Sequence, residues 1–526
     1  MQVTASGLGA EAIMIIESLI ATRQMRADDI YITHSGDAFD HKVLRSFSAA
    51  TRNMLAHRQH PQQVADEWME LLFPAQKETQ LQRLADMHDT RKAIAVCHNW
   101  FDCWRRAGEM PSNMPGCPCP LSLNRTAFTV ARTMFETAGL PAHLADHVKA
   151  MDEVWVPTLF NKETFTKAGV DPAKIRVVPE AIDTDLWDPQ RYSPVNLTRL
   201  GLVQATGPAA GPNASLPDAA MLRGKLPASG QKKPYVFLAV FKWEARKGWK
   251  DLIQGFTAAF KPSDNAVLWI LARPFMESGT DFDQKVRRFA ASLHNLSEAQ
   301  VSSRLPRIYT SARHLSEEDF VRVYKAADVL VIPTHGEGWG RPQLEAMAMG
   351  LPVITTNWSG PTAFMNERIA YPLAIDGLSE VRSDGDPNFF QAFIGQRWAQ
   401  PSVKHLTQLL LHVYRNPDQA AAKGAAARRH IQRHYTPRVL AHIIAAEVQR
   451  LQGVARQRQQ QQQRRSGSGI GSLLGLQRMQ GVATKRGVFS KLGVVQQHAG
   501  QQQQQQQRSD QGGLGQGGLG QGLGLA

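Results

Sequence analysis

The sequence predicts two α/β domains in tandem, each a doubly wound parallel sheet, followed by a disordered tail. Three observations lead there. Two long regions alternate short β-branched runs with amphipathic helical patterns, a stretch without apolar period parts them, and the residues from Gly453 onward are mostly Gln, Gly and Arg. With 526 residues, 43% of them hydrophobic, the chain is long enough to bury two or three cores.

Residues 1–187 read as the first domain, with the helical pattern EAIMIIESLIA followed by DIYIT, AIAVCH, AFTVARTMF, DEVWVPT and IRVVPEA. Residues 188–233 are rich in Pro, Gly, Ala, Asn and Ser, which predicts a low-complexity linker or insertion. Residues 234–452 form the second domain. Its strands are PYVFLAVF, AVLWILARP, PRIYT, DVLVIPT and PVITT, with helices between them and closing helices over 402–452. The tail, 453–526, holds two glutamine runs and a GGLGQ repeat, too few large apolar groups to offset chain entropy. It also carries nine Lys or Arg against one acid, Asp510, so most of the net charge of +14 sits there.

The four cysteines, Cys97, Cys103, Cys117 and Cys119, do not match the paired CxxC frameworks of zinc sites. Structural or reduced thiols are expected. No apolar run is long enough to span a membrane, and EAIMIIESLIA lacks the basic flank of a secretory signal. A cytoplasmic location follows as the expectation, with peripheral membrane contact left open. Nucleic-acid binding is not expected, because the basic tail has no aromatic interleaving apart from Phe489.

The chemistry concentrates in THGEGWGRPQLEAMAMGLPV, residues 334–353. DVLVIPT suits a buried strand, Pro342 suits the first turn of a helix, and Gly350 with Pro352 ends that helix. Glu337 therefore falls in the loop and Glu345 on the helix. Ligands of open α/β sheets collect beyond the carboxyl ends of the strands, where this loop must lie. Gly336, Gly338 and Gly340 let backbone amides approach an anion, and the helix beginning at Arg341 or Pro342 adds partial positive charge. Two carboxylates beside a phosphate site repel the phosphate, so neutral hydroxyls are their natural partners. A sugar nucleotide offers both groups. On spacing alone, an exposed helix residue and a loop charge explain the two glutamates equally well. The stretch FKWEARKGWKDLI, 241–253, shifts that balance, since Lys242 and Lys247 follow another strand of the same domain and suit a diphosphate.

With both clusters in hand, the chain resembles the family-4 retaining glycosyltransferases of the GT-B fold, glycosyl transferase group 1. The resemblance rests on FKWEARKGW, THGEGWGRPQLEAMAMGLPVITTNWSGPTAF, ARTMFETAGLP, MDEVWVPTLFNKETFTKAGV and KIRVVPEAID, and covers most of residues 90–375. It implies two Rossmann-like domains with a cleft between them. It implies that Glu337 contacts the donor sugar and Glu345 the ribose, that Gly338, Trp339, Gly340 and Arg341 present the loop to the donor, and that Lys242 and Lys247 meet its diphosphate. Glu337, Lys247 and His98 are then the catalytic candidates. His98, at the end of AIAVC, faces the acceptor or is a capping or core histidine; Arg132 and Glu136 in ARTMFET face the acceptor side of the cleft or brace it; and Gly7 and Gly9 in SGLGAEA fit a glycine loop that approaches the donor or acceptor. SGLGAEA also fits a dinucleotide fingerprint, and MQVTAS is short for the strand that should precede it, so a truncated first strand is expected. Asn357, Ser359 and Gly360 read as a tight turn.

The resemblance implies transfer from a nucleotide-sugar donor to a hydroxyl of a carbohydrate, lipid or protein acceptor, the departing phosphate helping to take the proton. No metal or other cofactor is implied. Alternatives within the fold are a catalytically silent binding protein, a nucleotide-sugar epimerase and a phosphorylase.

Overall fold

The computed structural model describes residues 14–16, 18–20, 22–24, 94–98, 127–195, 199–208, 233–275, 279–382 and 391–483, with the side chain of His98 and those beyond 461 excepted. Gly7, Gly9, DIYIT and Cys103, Cys117 and Cys119 lie outside the described residues. The chain divides into two compact units, Met1–Arg456 and Gln457–Ala526. Both α/β domains belong to the first.

Among the described residues, four parallel strands of the first domain pair in simple order: β1 (Ile94–His98), β2 (Phe128–Arg132), β3 (Glu153–Val156) and β4 (Ile175–Val177). Every residue of β2 and β3 is buried, as a sheet covered on both faces requires. Helix α1 (Ala142–Lys149) follows β2, and α2 (Leu159–Lys167) follows β3. Thr158 caps α2 by accepting from the Asn161 N–H, and Asn161 Nδ2 donates to Phe135 O at 2.6 Å, fixing the loop beyond β2. Cys97 in β1 is buried and disulfide-bonded, so of the two expectations for the cysteines, structural or reduced, it is structural.

The second domain is a seven-stranded sheet in the order β11-β10-β9-β6-β7-β8-β5. Its members are β5 (Val203–Thr206), β6 (Tyr235–Lys242), β7 (Ala266–Arg273), β8 (Arg307–Ser311), β9 (Val329–Ile332), β10 (Val353–Thr356) and β11 (Tyr371–Leu373). All pair in parallel except β5, which runs antiparallel to β8. Alternate residues of β6 enter different cores: Val236, Leu238 and Val240 face one, Phe237, Ala239 and Phe241 the other. Helices pack on these faces, among them α3 (Trp249–Ala259), α4 (Phe282–His294), α5 (Glu298–Arg304), α6 (Glu317–Ala326) and α7 (Arg341–Ala348).

Of the stretch 188–233 read as linker or insertion, the described residues 188–195 and 199–208 belong to the fold. Val195, Leu200 and Leu202 are buried in the core of the second domain, and β5 completes its sheet. An edge strand is paired on one side only, so four residues suffice and leave little apolar period to read.

The closing helices are α8 (Val403–Arg415), α9 (Pro417–His434) and α10 (Pro437–Ala483). Leu440, Ala441, Ile444 and Leu451 of α10 pack on Phe128, Val130 and Trp155, so the last helix returns to the first domain. It continues past Gly453, the expected edge of the folded part, and Ala455 is still buried. Between β11 and α8 an unforeseen hairpin forms from β12 (Ile375–Glu380) and β13 (Arg397–Pro401), antiparallel and separate from the main sheet.

Candidate active site

Strands β6 and β9 are neighbours in the sheet, so the turns that leave their carboxyl ends meet. After β6 the chain makes a 3-10 turn, Ala245–Lys247, and enters α3 through Gly248 at φ 67°. A Cβ there would stand 1.8 Å from Pro333 O, so only glycine lets the two loops approach this closely. The second loop is sewn to the first: the His335 N–H donates to Arg246 O at 2.7 Å, and Thr334 Oγ1 donates to the same oxygen at 3.0 Å.

Glu337 is the centre of the cluster that results. Lys247 Nζ stands 2.8 Å from both its carboxylate oxygens, and Arg246 Nη1 stands 3.1 Å from Oε2 while also donating to Gly336 O at 2.6 Å. Arg246 Nη2 bonds Glu244 Oε1 at 2.7 Å and lies 3.7 Å from Oε1 of Glu136, which comes from the first domain. Burial pushes the Glu337 carboxyl up, but Lys247 and Arg246 outweigh it and hold the group below the ordinary carboxylate value. Glu136 moves the other way, raised by burial and by the Glu244 and Glu337 charges against the pull of Arg246. Arg246, ringed by three carboxylates, stays charged despite its burial.

The loop backbone is braced from behind. The Glu337 N–H donates to Ser359 Oγ at 2.9 Å, and the Gly360 N–H donates to Glu337 O at 2.9 Å. The stretch NWSGP does turn, and its serine stands at φ 62°, a strained place for a residue with a Cβ.

Glu345 lies on α7, beyond Gly340 at φ 110° and the helix-starting Pro342. Tyr324 of α6 donates its hydroxyl to Glu345 Oε2 at 2.7 Å. Burial raises the Glu345 carboxyl, with Arg341 and Arg273 pulling it down. Arg341 Nη1 reaches Glu180 Oε2 of the first domain at 3.3 Å, a second ionic link across the domains.

The structure thus joins Lys247, Glu337 and Glu136 and sets Glu345 with Arg341. The other predicted residues are placed as follows. Trp339, expected to face the donor, is 2% exposed and packs in the core with Phe364 and Tyr435 at ring-centroid distances of 5.0 and 5.7 Å. Its aromatic surface is too large to leave in solvent when the core beside the loop has room for it. Gly338 and Gly336 face protein: a Cβ on Gly338 would meet Met134 Sδ at 2.2 Å, and one on Gly336 would meet Glu136 O at 2.0 Å. Lys242 is on the exposed end of β6, its Nζ 5.6 Å from the centre of the Phe275 ring. Arg132 turns inward, is 1% exposed and donates to Val178 O at 2.5 Å, which is the bracing arrangement of the two expected for it. The backbone of His98 pairs with that of Arg132 at the ends of β1 and β2.

Four members of the site, Glu244 among them, were not foreseen. Arg246 lay in a charge run whose pattern has no direction, although the alternation EARK was a signal. Tyr324 and Glu180 sit in segments that read only as a helix and a strand end, with no chemical cue.

Residues 232–376 match the family model described as Glycosyl transferases group 1. Among curated proteins, D-inositol 3-phosphate glycosyltransferase of Corynebacterium urealyticum is 31% identical over 121 residues, which is 21% of this chain and 28% of that protein. Human liver glycogen [starch] synthase is 35% identical over 69 residues, 13% of this chain and 10% of that one. These matches span a little over a quarter or less of the relatives' own length. Among solved structures, Anabaena Alr3699/HepE in complex with UDP and glucose aligns with a TM-score of 0.51 at 12% identity, covering 85% of this chain and 96% of that one. That likeness speaks for the fold alone. Residues 232–376 are thus similar to glycosyl transferases group 1, in a chain of the GT-B fold.

Proposed function

We propose that the chain is a retaining glycosyltransferase moving a sugar from a nucleotide-sugar donor to an acceptor hydroxyl. The observation that carries this reading is the buried Glu337 carboxylate, gripped by Lys247 and Arg246 where the loops after β6 and β9 meet within the matched domain. A carboxylate kept ionised in a buried site is a strong acceptor for sugar hydroxyls. The ammonium beside it neutralises the diphosphate as charge builds on the leaving group. Glu345, steadied by Tyr324, serves the ribose hydroxyls. The first domain supplies the acceptor side, with Glu136 entering the cluster from there.

Within this reading the departing phosphate takes the acceptor proton. Glu337 then needs no basicity of its own, and its depressed pKa suits a hydroxyl clamp better than a general base. His98 remains an acceptor-side proposal on the strength of its strand position. The neutralising charge comes from side chains, so no metal is assigned to the donor.

The test is a binding and hydrolysis screen of nucleotide sugars, beginning with UDP-glucose because Anabaena Alr3699/HepE was crystallised with it. Wild type is compared with Glu345→Ala and Lys247→Ala. Binding and turnover by wild type, with both variants impaired, supports the transferase. Binding without turnover selects the silent binding protein, and failure of every nucleotide sugar to bind overturns the reading.

A further inference from the structure

The hairpin of β12 and β13 belongs to the second domain by sequence and to both domains by contact. Its buried apolar residues pack in the first domain. Val381, Phe393 and Trp398 join a core whose other buried members, among them Phe135, Leu140, Leu144 and Val154, are all from the first domain. Phe393 meets Phe135 edge to face at 5.3 Å, and the Ala138 N–H donates to Arg397 O at 2.7 Å. The approach at Gly139 is close enough that a Cβ there would stand 2.5 Å from Gln396 Oε1.

The base of the hairpin grips one residue of the donor loop. Trp398 stacks on the His335 ring at 4.7 Å and 24°. His335 Nδ1 pairs with Ala399 O at 2.7 Å, and the Ala399 N–H donates to His335 O at 3.0 Å. Its Nε2 lies 3.1 Å from Asp251 Oδ2, and Gln400 Nε2 donates to the other oxygen of Asp251 at 3.0 Å. Ring stacking, the Nδ1 contact with Ala399 O and the Asp251 carboxylate beside Nε2 leave His335 one place to be. Glu337 follows two residues later, and Arg246, which holds it, also lies over the Phe393 ring at 5.8 Å.

We infer that this hairpin is a strap through which the first domain sets the position of the donor loop, with His335 as a positioning residue for Glu337. The strands are too short and too polar to be kept for their own stability, since two strands alone are marginal in water. Their apolar residues are spent on the neighbouring domain and on His335. A loop that must grip a sugar only when the acceptor domain is seated gains from a mechanical link of this kind. The inference deepens the proposed function and rests on it for its kinetic part, while its structural part stands without any donor.

The test uses the full-length protein. Amide hydrogen exchange is measured without ligand for wild type, Phe393→Ala, the milder Phe393→Leu, Trp398→Ala and the conservative Trp398→Phe. The expected result is faster exchange at Gly336 and Glu337 in Phe393→Ala, about tenfold or more, although the substitution is in the first-domain contact, with Trp398→Phe restoring most of what Trp398→Ala loses. If the alanine variant does not fold, Phe393→Leu shows the same shift in smaller measure. Kinetics with the donor that wild type uses give the second arm: Trp398→Ala lowers kcat about tenfold and changes the Kd of the free nucleoside diphosphate less than about threefold, because Lys247 and Glu345 remain. Unchanged exchange at 336–337 in both Phe393 variants, or equal loss of kcat and nucleotide affinity in Trp398→Ala, overturns the strap. Absence of any donor for wild type overturns the proposed function instead, and the exchange arm still decides the strap.

Discussion

Lys247 holds Glu337 by both carboxylate oxygens, its Nζ 2.8 Å from each. The lysine assigned to the diphosphate and the glutamate assigned to the sugar are therefore partners before any donor arrives. Arg246 makes the arrangement workable, since it keeps Glu337 compensated when Lys247 turns to a phosphate. Without a second cation, donor binding would strand a buried charge.

That sharing predicts strong coupling. Lys247→Ala leaves Glu337 buried with half its compensation, and breaking one side of a buried pair costs about 3–5 kcal/mol. Adding Glu337→Gln removes the stranded charge. The double variant is expected to be more stable than the sum of the two single effects predicts, by about 1–3 kcal/mol. Urea denaturation of the four proteins measures this, and simple additivity would show that the contact carries no energy.

The hydroxyl of Tyr324 makes a second, separable prediction. Tyr324→Phe keeps the ring contacts with Trp187 and Phe320 but removes the donor to Glu345. A hydrogen bond to an ionised group is worth about 1.5–3 kcal/mol, which sets the expected loss. Nucleotide affinity should fall less than in Glu345→Ala, because the carboxylate is loosened and not removed. A titration showing the reverse order would place Tyr324, not Glu345, on the ribose.

The two glutamates should respond to pH with opposite sign. Glu337 has a folded-state pKa below the ordinary 4.5, with Lys247 and Arg246 prevailing over burial. Its contribution is present above the unfolded value and lost as pH falls through the folded one. Glu345 is raised above 4.5 by burial, so its contribution is full below the unfolded value and lost as pH rises through the folded one. Melting curves from about pH 3 to about pH 8 should show Glu337→Gln closing on wild type toward acid, and Glu345→Gln gaining on wild type toward neutrality. Parallel profiles for the two variants would sink the assignment.

Much of this site could be read from the chain because its framework is apolar. The run Val236–Phe241 is buried on both faces, and such a run announces a central strand without help from its neighbours. Pro342 likewise marked the start of α7. Charged residues carry no such direction. Lys242 and Lys247 look alike in FKWEARKGW, yet one ends a strand in solvent and the other follows a turn into the cluster. The hairpin escaped for a related reason, since its apolar residues face another domain and show no period within IDGLSE. Trp339 was misread because a large aromatic in a glycine loop suits a ligand and a core equally well, and the deciding neighbours, Phe364 and Tyr435, lie 25 and 96 positions further on.

Two glycines of the donor loop give a contrast that depends on what each one touches. A Cβ at 336 would stand 2.0 Å from the backbone oxygen of Glu136 and 2.9 Å from the Trp358 ring, and a peptide oxygen cannot yield without moving the first-domain loop. At 338 the nearest atoms are Sδ and Cγ of Met134, a side chain with three rotatable bonds. Gly336→Ala should therefore cost more than Gly338→Ala, against an overpacking range of about 1–3 kcal/mol. Shortening the obstacle separates the cases further: Met134→Ala should recover most of the loss in Gly338→Ala and none of the loss in Gly336→Ala. Calorimetric Tm values for the five proteins test it, and equal recovery in both backgrounds would mean that the loop does not pack on residues 134–136 in this way.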